Sequence, residues 1–368
     1  MPSKPLPSKP LPSKPLPSNP SPAKASPAKL GIYHVLLPTD IPTLPLNEFA
    51  GSVLEGLSER PKRLSSRYLY DDRGSGLFRQ IMTLEEYYPT RCEAEIIEAH
   101  GPAIAARFAG TPVNLVDLGA GDGAKTVRLL HQLQAAGADV TYVPIDISEQ
   151  ALRTACETLA GELPGLPVKG LVAEYIAALH WLTANDDGRV NLVLFLGSNI
   201  GNFNRAQART FLRQLWSALN PGDYVLTGFD LKKDIDLLLA AYNDAKGVTA
   251  AFNMNLLNRI NRELGGHFDL DKFRHYSTYD VFTGAMESYL VSMEKQTVAI
   301  DTLHSNFHFD AWEPIHTEYS YKYLESDIRS LADSTGFAIA DTLHDSKRWF
   351  ADSLWRVVKT ISGGGVAL

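Results

Sequence analysis

Three glycines within five residues follow the apolar run 113-VNLVDLG-119, as Gly119-Ala120-Gly121-Asp122-Gly123, with Asp117 two residues ahead of the first. Glycines placed after a core strand let a backbone come close to a ligand. The dinucleotide fingerprint is G-x-G-x-x-G, whereas this spacing is G-x-G-x-G. Asp146, in 144-PIDIS-148, closes a second apolar run 23 residues after Gly123. A ribose-binding acid belongs at that place in open α/β folds. Together these residues imply a nucleoside cofactor; S-adenosylmethionine and NAD both remain open, with the spacing favouring the first.

Two later run ends carry further polar groups. Ala173-Glu174-Tyr175 ends one, and 194-LFLGSNIGNF-203 ends another on Gly197, Ser198, Asn199, Gly201 and Asn202. Open α/β sheets bind ligands at the carboxyl ends of their strands. Small residues there admit a substrate, and Asn202 offers both a donor and an acceptor.

Alternating elements must hold these residues. Strand-like runs at 113–119, 140–147, 167–175, 190–197 and 222–231 are interleaved with helices at about 125–136, 149–159 and 205–219. That order predicts an α/β fold with a parallel sheet covered on both faces. Helical patterns also cover 47–60 and 75–82, and Thr90 with Glu93 forms a capping-box pattern that starts a helix from about Arg91 to Phe108. After 234 the alternation breaks into helices and antiparallel strands, then resumes with a helix at about 325–335 and strands at 336–345 and 353–360. The organisation expected is a Pro/Ser/Lys-rich tail over 1–30, a discontinuous α+β substrate-binding unit from 31–91 and 233–322, and a cofactor-binding unit from 92–232 and 323–368.

Bulk composition excludes several classes. The net charge is −7; the tail holds five lysines and no acid, so the rest of the chain carries −12, which disfavours nucleic-acid binding. Three PSKPL repeats, at 2–6, 7–11 and 12–16, are too rich in proline for helix or sheet and lack the apolar core of a signal peptide. No run is long enough to span a membrane. Cys92 and Cys156 are the two cysteines, so neither a disulfide framework nor a structural zinc site is expected, and a reducing cytoplasm fits. The ten histidines, including His304 and His308, lack spaced cysteine or acidic partners, so no metal is expected.

With these residues placed, the chain resembles the histidine-specific, S-adenosylmethionine-dependent methyltransferases of ergothioneine biosynthesis over about residues 47–360. The likeness rests on 70-YDDRGSGLF-78, 86-EYYPTR-91, 116-VDLGAGDGAKT-126, 195-FLGSNIGNF-203, 228-GFDLKKD-234 and 315-IHTEYSYKY-323. It implies a class I methyltransferase, Rossmann-like and mostly parallel sheet of seven strands. It implies trimethylation of the α-amine of L-histidine to hercynine, by a monomer acting on a small molecule, with no nucleic acid and no membrane. The alternative is a related N-methyltransferase for another amino acid or amine.

The resemblance also assigns residues. Gly119, Lys125, Asp146, Glu174 and Tyr175 match cofactor contacts. Tyr87, Asn202 and Tyr242 match residues that hold the substrate's α-amino and carboxylate groups. Glu318 and Ser320 match the pair on the imidazole ring, Tyr70 a tyrosine beside the accepting nitrogen, and Phe252 a pocket phenylalanine. Asn199 stands where better-known members usually carry Thr. In these roles Asn202 can accept from an amine without adding charge, while Tyr87 and Tyr242 donate to the carboxylate. A substrate without an imidazole would leave Glu318 unpaired, at a cost on the order of 2–5 kcal/mol.

Overall fold

The computed structural model describes residues 33–36, 46–119, 123–147, 149–184 and 187–359. The expected tail over 1–30 and the glycine-loop residues Ala120, Gly121 and Asp122 lie outside the described residues.

In chain order, β1 (Tyr33–Leu36), α1 (Leu46–Ser58), β2 (Lys62–Arg63), α2 (Asp72–Met82) and α3 (Pro89–Ala106) come first. The alternating section is β3 (Pro112–Leu118), α4 (Ala124–Ala135), β4 (Asp139–Asp146), α5 (Glu149–Glu162), β5 (Val168–Val172), α6 (Tyr175–Ala184), β6 (Val190–Phe195), α7 (Arg205–Ala218) and β7 (Tyr224–Asp230). There follow α8 (Ile235–Tyr242), α9 (Val248–Leu264), β8 (Phe273–Asp280), β9 (Ala285–Ser292), β10 (Gln296–Ile300), β11 (Ser305–Phe309) and β12 (Pro314–Tyr321). The chain then returns with α10 (Glu325–Thr335), β13 (Phe337–His344) and β14 (Phe350–Val357).

The main sheet has the order β1-β5-β4-β3-β6-β7-β14-β13. Its first six strands run parallel, and β14 and β13 close it as an antiparallel pair. Alternation along each strand feeds two cores. Val113 and Leu115 of β3, with Leu192 and Leu194 of β6, pack on one face. Val116, Leu118, Val193 and Phe195 pack on the other. All eight side chains are buried, each worth roughly 1.5–3 kcal/mol. The first core continues without a break into the second unit through Phe252, Leu256, Ile260, Leu290 and Ile315.

Four expectations are corrected. The main sheet has eight strands among the described residues, not seven, because Tyr33–Leu36 pairs in parallel with β5. Those four residues therefore join the main sheet, although they fall in the 31–91 segment expected to belong to the second unit. A helix, α6, begins at Tyr175 inside the expected run 167–175; its alanines and leucines gave no clear polar face. Finally, α3 starts at Pro89, whose fixed φ suits a first helical turn, and Thr90 makes no cap. Glu93 is thus free of capping and points inward.

Among the described residues no helix is long and apolar enough to cross a membrane. Between β7 and α10 the chain forms the inserted unit: α8, α9, the strands β8, β9 and β12, which β2 from the N-terminal segment joins in a four-stranded sheet of order β2-β12-β9-β8, and the β10–β11 pair. Leu231 and Tyr323 bridge where the insertion leaves and rejoins the sheet.

Candidate active site

The carboxyl ends of β3, β4, β5 and β6 deliver Gly119, Asp146, Glu174-Tyr175 and the loop 197–202 to one edge. Gly119 has φ +81°, and a Cβ there would stand 3.0 Å from Tyr175 Oη and 3.1 Å from Asn199 Nδ2. Gly197 has φ +75°, and its Cβ would stand 3.6 Å from Lys125 Nζ. Both positions need glycine for their backbone angle. Ser198 takes the left-handed region without being glycine (φ +57°), a strain of the kind found at functional loops. A cradle that side chains would fill, with Asp146 at its edge, fits the ribose and methionine portions of S-adenosylmethionine.

Two expected cofactor contacts have protein partners. Glu174 pairs with Arg67 at 2.9 Å, and Arg67 also pairs with Glu48 at 2.9 Å. Lys125 pairs with the fully buried carboxylate of Glu93. The other oxygen of Glu93 accepts from the Gly197 N–H at 2.6 Å. Glu93 therefore clamps the start of α4 to the end of β6. It also lies against Gly228 of β7, where any Cβ would fall on Glu93 Oε1. Asp352 is buried beside it, with neither carboxylate oxygen hydrogen-bonded among the described residues. Burial and the nearby Glu93 charge push its carboxyl well above the usual range, against the pull of Lys125.

The substrate-side residues converge. Tyr70, Tyr87, Asn202, Tyr242, Phe252, Glu318 and Ser320 all line a single cavity, together with Phe78, Asn199 and Thr249. Tyr70 follows a 3₁₀ turn and is fixed by its neighbour Asp71, which accepts from Gly74 N–H (2.7 Å) and Asn255 (2.7 Å) and pairs with Arg262 (2.6 Å). Its ring meets Phe78 and Phe252 edge-on at 5.5 and 5.4 Å. Tyr87 is held by Arg91, which donates to the carbonyls of Leu84 and Tyr87 at 2.8 and 3.3 Å.

A β-bulge aims Glu318. β12 pairs His316 with Tyr289 and then Glu318 with Ser288, leaving Thr317 as the extra residue. Thr317 Oγ1 shares its one proton between Asn253 Oδ1 at 2.8 Å and the Ser288 carbonyl at 3.0 Å, which fixes the bulge. His316, Tyr319 and Tyr321 then stack on the outer face, while Glu318 and Ser320 face the cavity.

Beneath the cavity runs a buried charge network. Tyr242 Oη donates to Ser320 Oγ at 2.7 Å, and Lys322 Nζ donates to both oxygens at 2.9 Å. Lys322 is fully buried and pairs with Asp230 at 2.7 Å. Asp230 also takes Lys233 and accepts from Tyr88 Oη at 2.7 and 2.8 Å. Burial alone would raise the Asp230 carboxyl, but the two ammonium groups outweigh it and hold it below the usual range. This arrangement corrects one expectation: the Tyr242 proton goes to Ser320, so Tyr242 meets the cavity as an acceptor and not as a donor to a carboxylate.

Burial raises the phenols of Tyr70, Tyr87 and Tyr242 well above their ordinary value, so all three stay protonated at neutral pH. It pushes Glu318 up to about 7, with Lys322 pulling the other way. Glu93, Asp230 and Lys322 are the site residues that sequence reasoning missed. Glu93 did carry a signal, because it shares the buried helical stripe of Cys92, Ile96 and Ile97.

The family model described as histidine-specific methyltransferase, SAM-dependent, matches residues 49–357. The chain is 39% identical over 276 residues to the histidine N-alpha-methyltransferase of Mycolicibacterium smegmatis, covering 75% of this chain and 84% of that one. It is 38% identical over 300 residues to the histidine N-alpha-methyltransferase of Mycobacterium tuberculosis, covering 82% and 90%. Ergothioneine biosynthesis protein 1 of Schizosaccharomyces pombe is 30% identical over 295 residues, covering 77% of this chain and 38% of that protein.

Two tests follow from the geometry. Gly228→Ala should displace Glu93 and cost about 1–3 kcal/mol of stability by overpacking; urea denaturation measures it, and an unchanged midpoint would show that the Glu93 clamp yields freely. Glu318 gives a pH test. Its folded pKa of about 7 lies above the ordinary 4.5. The folded protein therefore holds a proton that the unfolded chain releases, and stability drops as pH rises through that window. Glu318→Gln should raise Tm without ligand at about pH 8 but not at about pH 4, as read by calorimetry; equal gains at both would exclude a buried charge as the cause.

Proposed function

The chain belongs to the histidine-specific, S-adenosylmethionine-dependent methyltransferases, and on that premise we propose that it trimethylates the α-amine of L-histidine to the betaine hercynine. One observation carries the substrate reading. The carboxylate of Glu318 and the hydroxyl of Ser320 share a cavity with Asn202 and Tyr87, beside the cradle of Gly119 and Gly197. A carboxylate with a hydroxyl suits the two ring nitrogens, and neutral polar groups suit the amine and carboxylate.

S-adenosylmethionine, when bound, supplies a methyl group on a sulfonium centre. Asp146 would hold its ribose hydroxyls, Gly119 would admit its backbone-facing edge, and Tyr175 with Glu174 would flank its adenine. Lys125, anchored by Glu93, would face the methionine end. What remains for the protein is to seat a neutral amine with its lone pair correctly aimed. Asn202 can accept an amine N–H without favouring the ammonium form, as a carboxylate would. Tyr242, whose proton is given to Ser320, can accept another. Tyr87 keeps its proton and can donate to the substrate carboxylate. No phenolate is present to act as a base, so the amine sheds its proton to water before each transfer. The reading takes the enzyme as a cytoplasmic monomer, in keeping with two buried free cysteines.

Histidine should release S-adenosylhomocysteine while tryptophan does not, and mass spectrometry should find three added methyl groups. Turnover of another amino acid with none of histidine would overturn the substrate assignment. Glu318→Ala should raise the histidine KM on the order of 10- to 100-fold, with a smaller change in kcat; an unchanged KM would remove Glu318 from the ring site.

A further inference from the structure

We propose that Lys322 is a specificity-determining positioning residue, which fixes Ser320 as a hydrogen-bond donor to the cavity and so selects a neutral imidazole with a bare nitrogen at Ser320. The inference rests on the histidine reading above.

The argument is an inventory of protons and lone pairs. Ser320 Oγ has two lone pairs and one proton. It accepts from Tyr242 at 2.7 Å and from Lys322 at 2.9 Å. Both lone pairs are then in use, and the cavity that Ser320 lines is where its own proton can go. The direction of the Tyr242–Ser320 bond follows from acidity. A phenol is a far stronger acid than an aliphatic alcohol, so Tyr242 donates and Ser320 accepts. Lys322 cannot turn round, because an ammonium has donors only. The Asp230 carboxylate, 2.7 Å from the ammonium, holds it in place beneath Ser320.

Glu318 by itself would welcome an imidazolium, whose two N–H groups both seek acceptors. A donor at the second nitrogen excludes that form. The ring must give its one N–H to Glu318 and take the Ser320 proton on the other nitrogen. An indole has a donor and no ring acceptor, so it fails at Ser320 even where it can satisfy Glu318. Without Lys322 the Ser320 oxygen would regain a lone pair and could accept from an N–H. The charge of Lys322 thus acts on the substrate through Ser320 without touching it.

The test uses the full chain with S-adenosylhomocysteine and ring-15N-labelled histidine. Nitrogen chemical shifts of the bound ring report which nitrogens carry protons. Wild type should show one protonated and one bare nitrogen at pH values where free histidine is partly imidazolium. Lys322→Met should let the second nitrogen protonate and raise the histidine KM about 10-fold, the loss of one hydrogen bond, with kcat changed less. Ser320→Ala, which keeps the buried ion pair, should shift the nitrogens in the same way and covers the case in which Lys322→Met does not fold. Bound histidine with both nitrogens protonated in wild type, or identical spectra in wild type and Ser320→Ala, would overturn the inference. Histidine that does not bind at all would instead overturn the substrate reading and this inference with it.

Discussion

Asp230 is a carboxylate with no exposed surface at the end of the last parallel strand, and the site depends on how its charge is met. A buried charge is tolerable when paired and hydrogen-bonded. Here the partners come from three directions: Lys233 from the start of the insertion, Lys322 from its return strand, and Tyr88 from the turn into α3. The backbone repeats the pattern, since the Tyr323 N–H donates to the Asp230 carbonyl at 2.9 Å and the Lys232 N–H to the Tyr323 carbonyl at 2.9 Å. One residue thus fastens both ends of the inserted unit to the sheet. Tyr87 sits next to one partner and Ser320 two residues from another. Their separation across the cavity is set by the same carboxylate.

A second buried acid organises the cofactor edge by different means. Glu93 spends one oxygen on Lys125 and the other on a backbone N–H, so its charge is fully compensated. Glu318 receives no such compensation, and its pKa of about 7 records the difference. Four acids in one region therefore have three fates. Asp230 and Glu93 are paired with lysines and fix geometry, Asp352 is buried with its carboxyl pushed upward, and Glu318 keeps unspent affinity for a ligand donor. That last state is what a binding site requires, since interactions already satisfied within the protein cannot favour a substrate.

The α/β alternation was legible because buried parallel strands leave apolar runs whose ends can be counted. The glycine spacing and Asp146 were legible for the same local reason. The cavity residues came from family likeness, since nothing within a few positions of Tyr87 or Phe252 marks it as more than a core aromatic. Glu93 was misread because Thr90-x-x-Glu93 matches a capping pattern; its true partner, Gly197, is 104 positions away. Nothing in its neighbourhood marks Lys322 as buried, and only the strand register puts it under the pocket. Tyr242 lines the cavity, but its hydrogen bond to Ser320 gives it another sense than expected, because sense depends on neighbours that sequence does not show.

The bulge at Thr317 has an evolutionary side. Along β12 the two faces differ sharply: His316, Tyr319 and Tyr321 stack outside, and Glu318 and Ser320 look inward. One extra residue sets which set is which. Were Thr317 to take its own place in the ladder, the alternation would carry straight through and offer two phenols to the cavity in place of a carboxylate and a hydroxyl. In this scaffold, substitutions that let Thr317 enter the ladder would redraw the ligand chemistry of the pocket without touching a ligand-facing side chain, while leaving the sheet that carries the cofactor edge untouched.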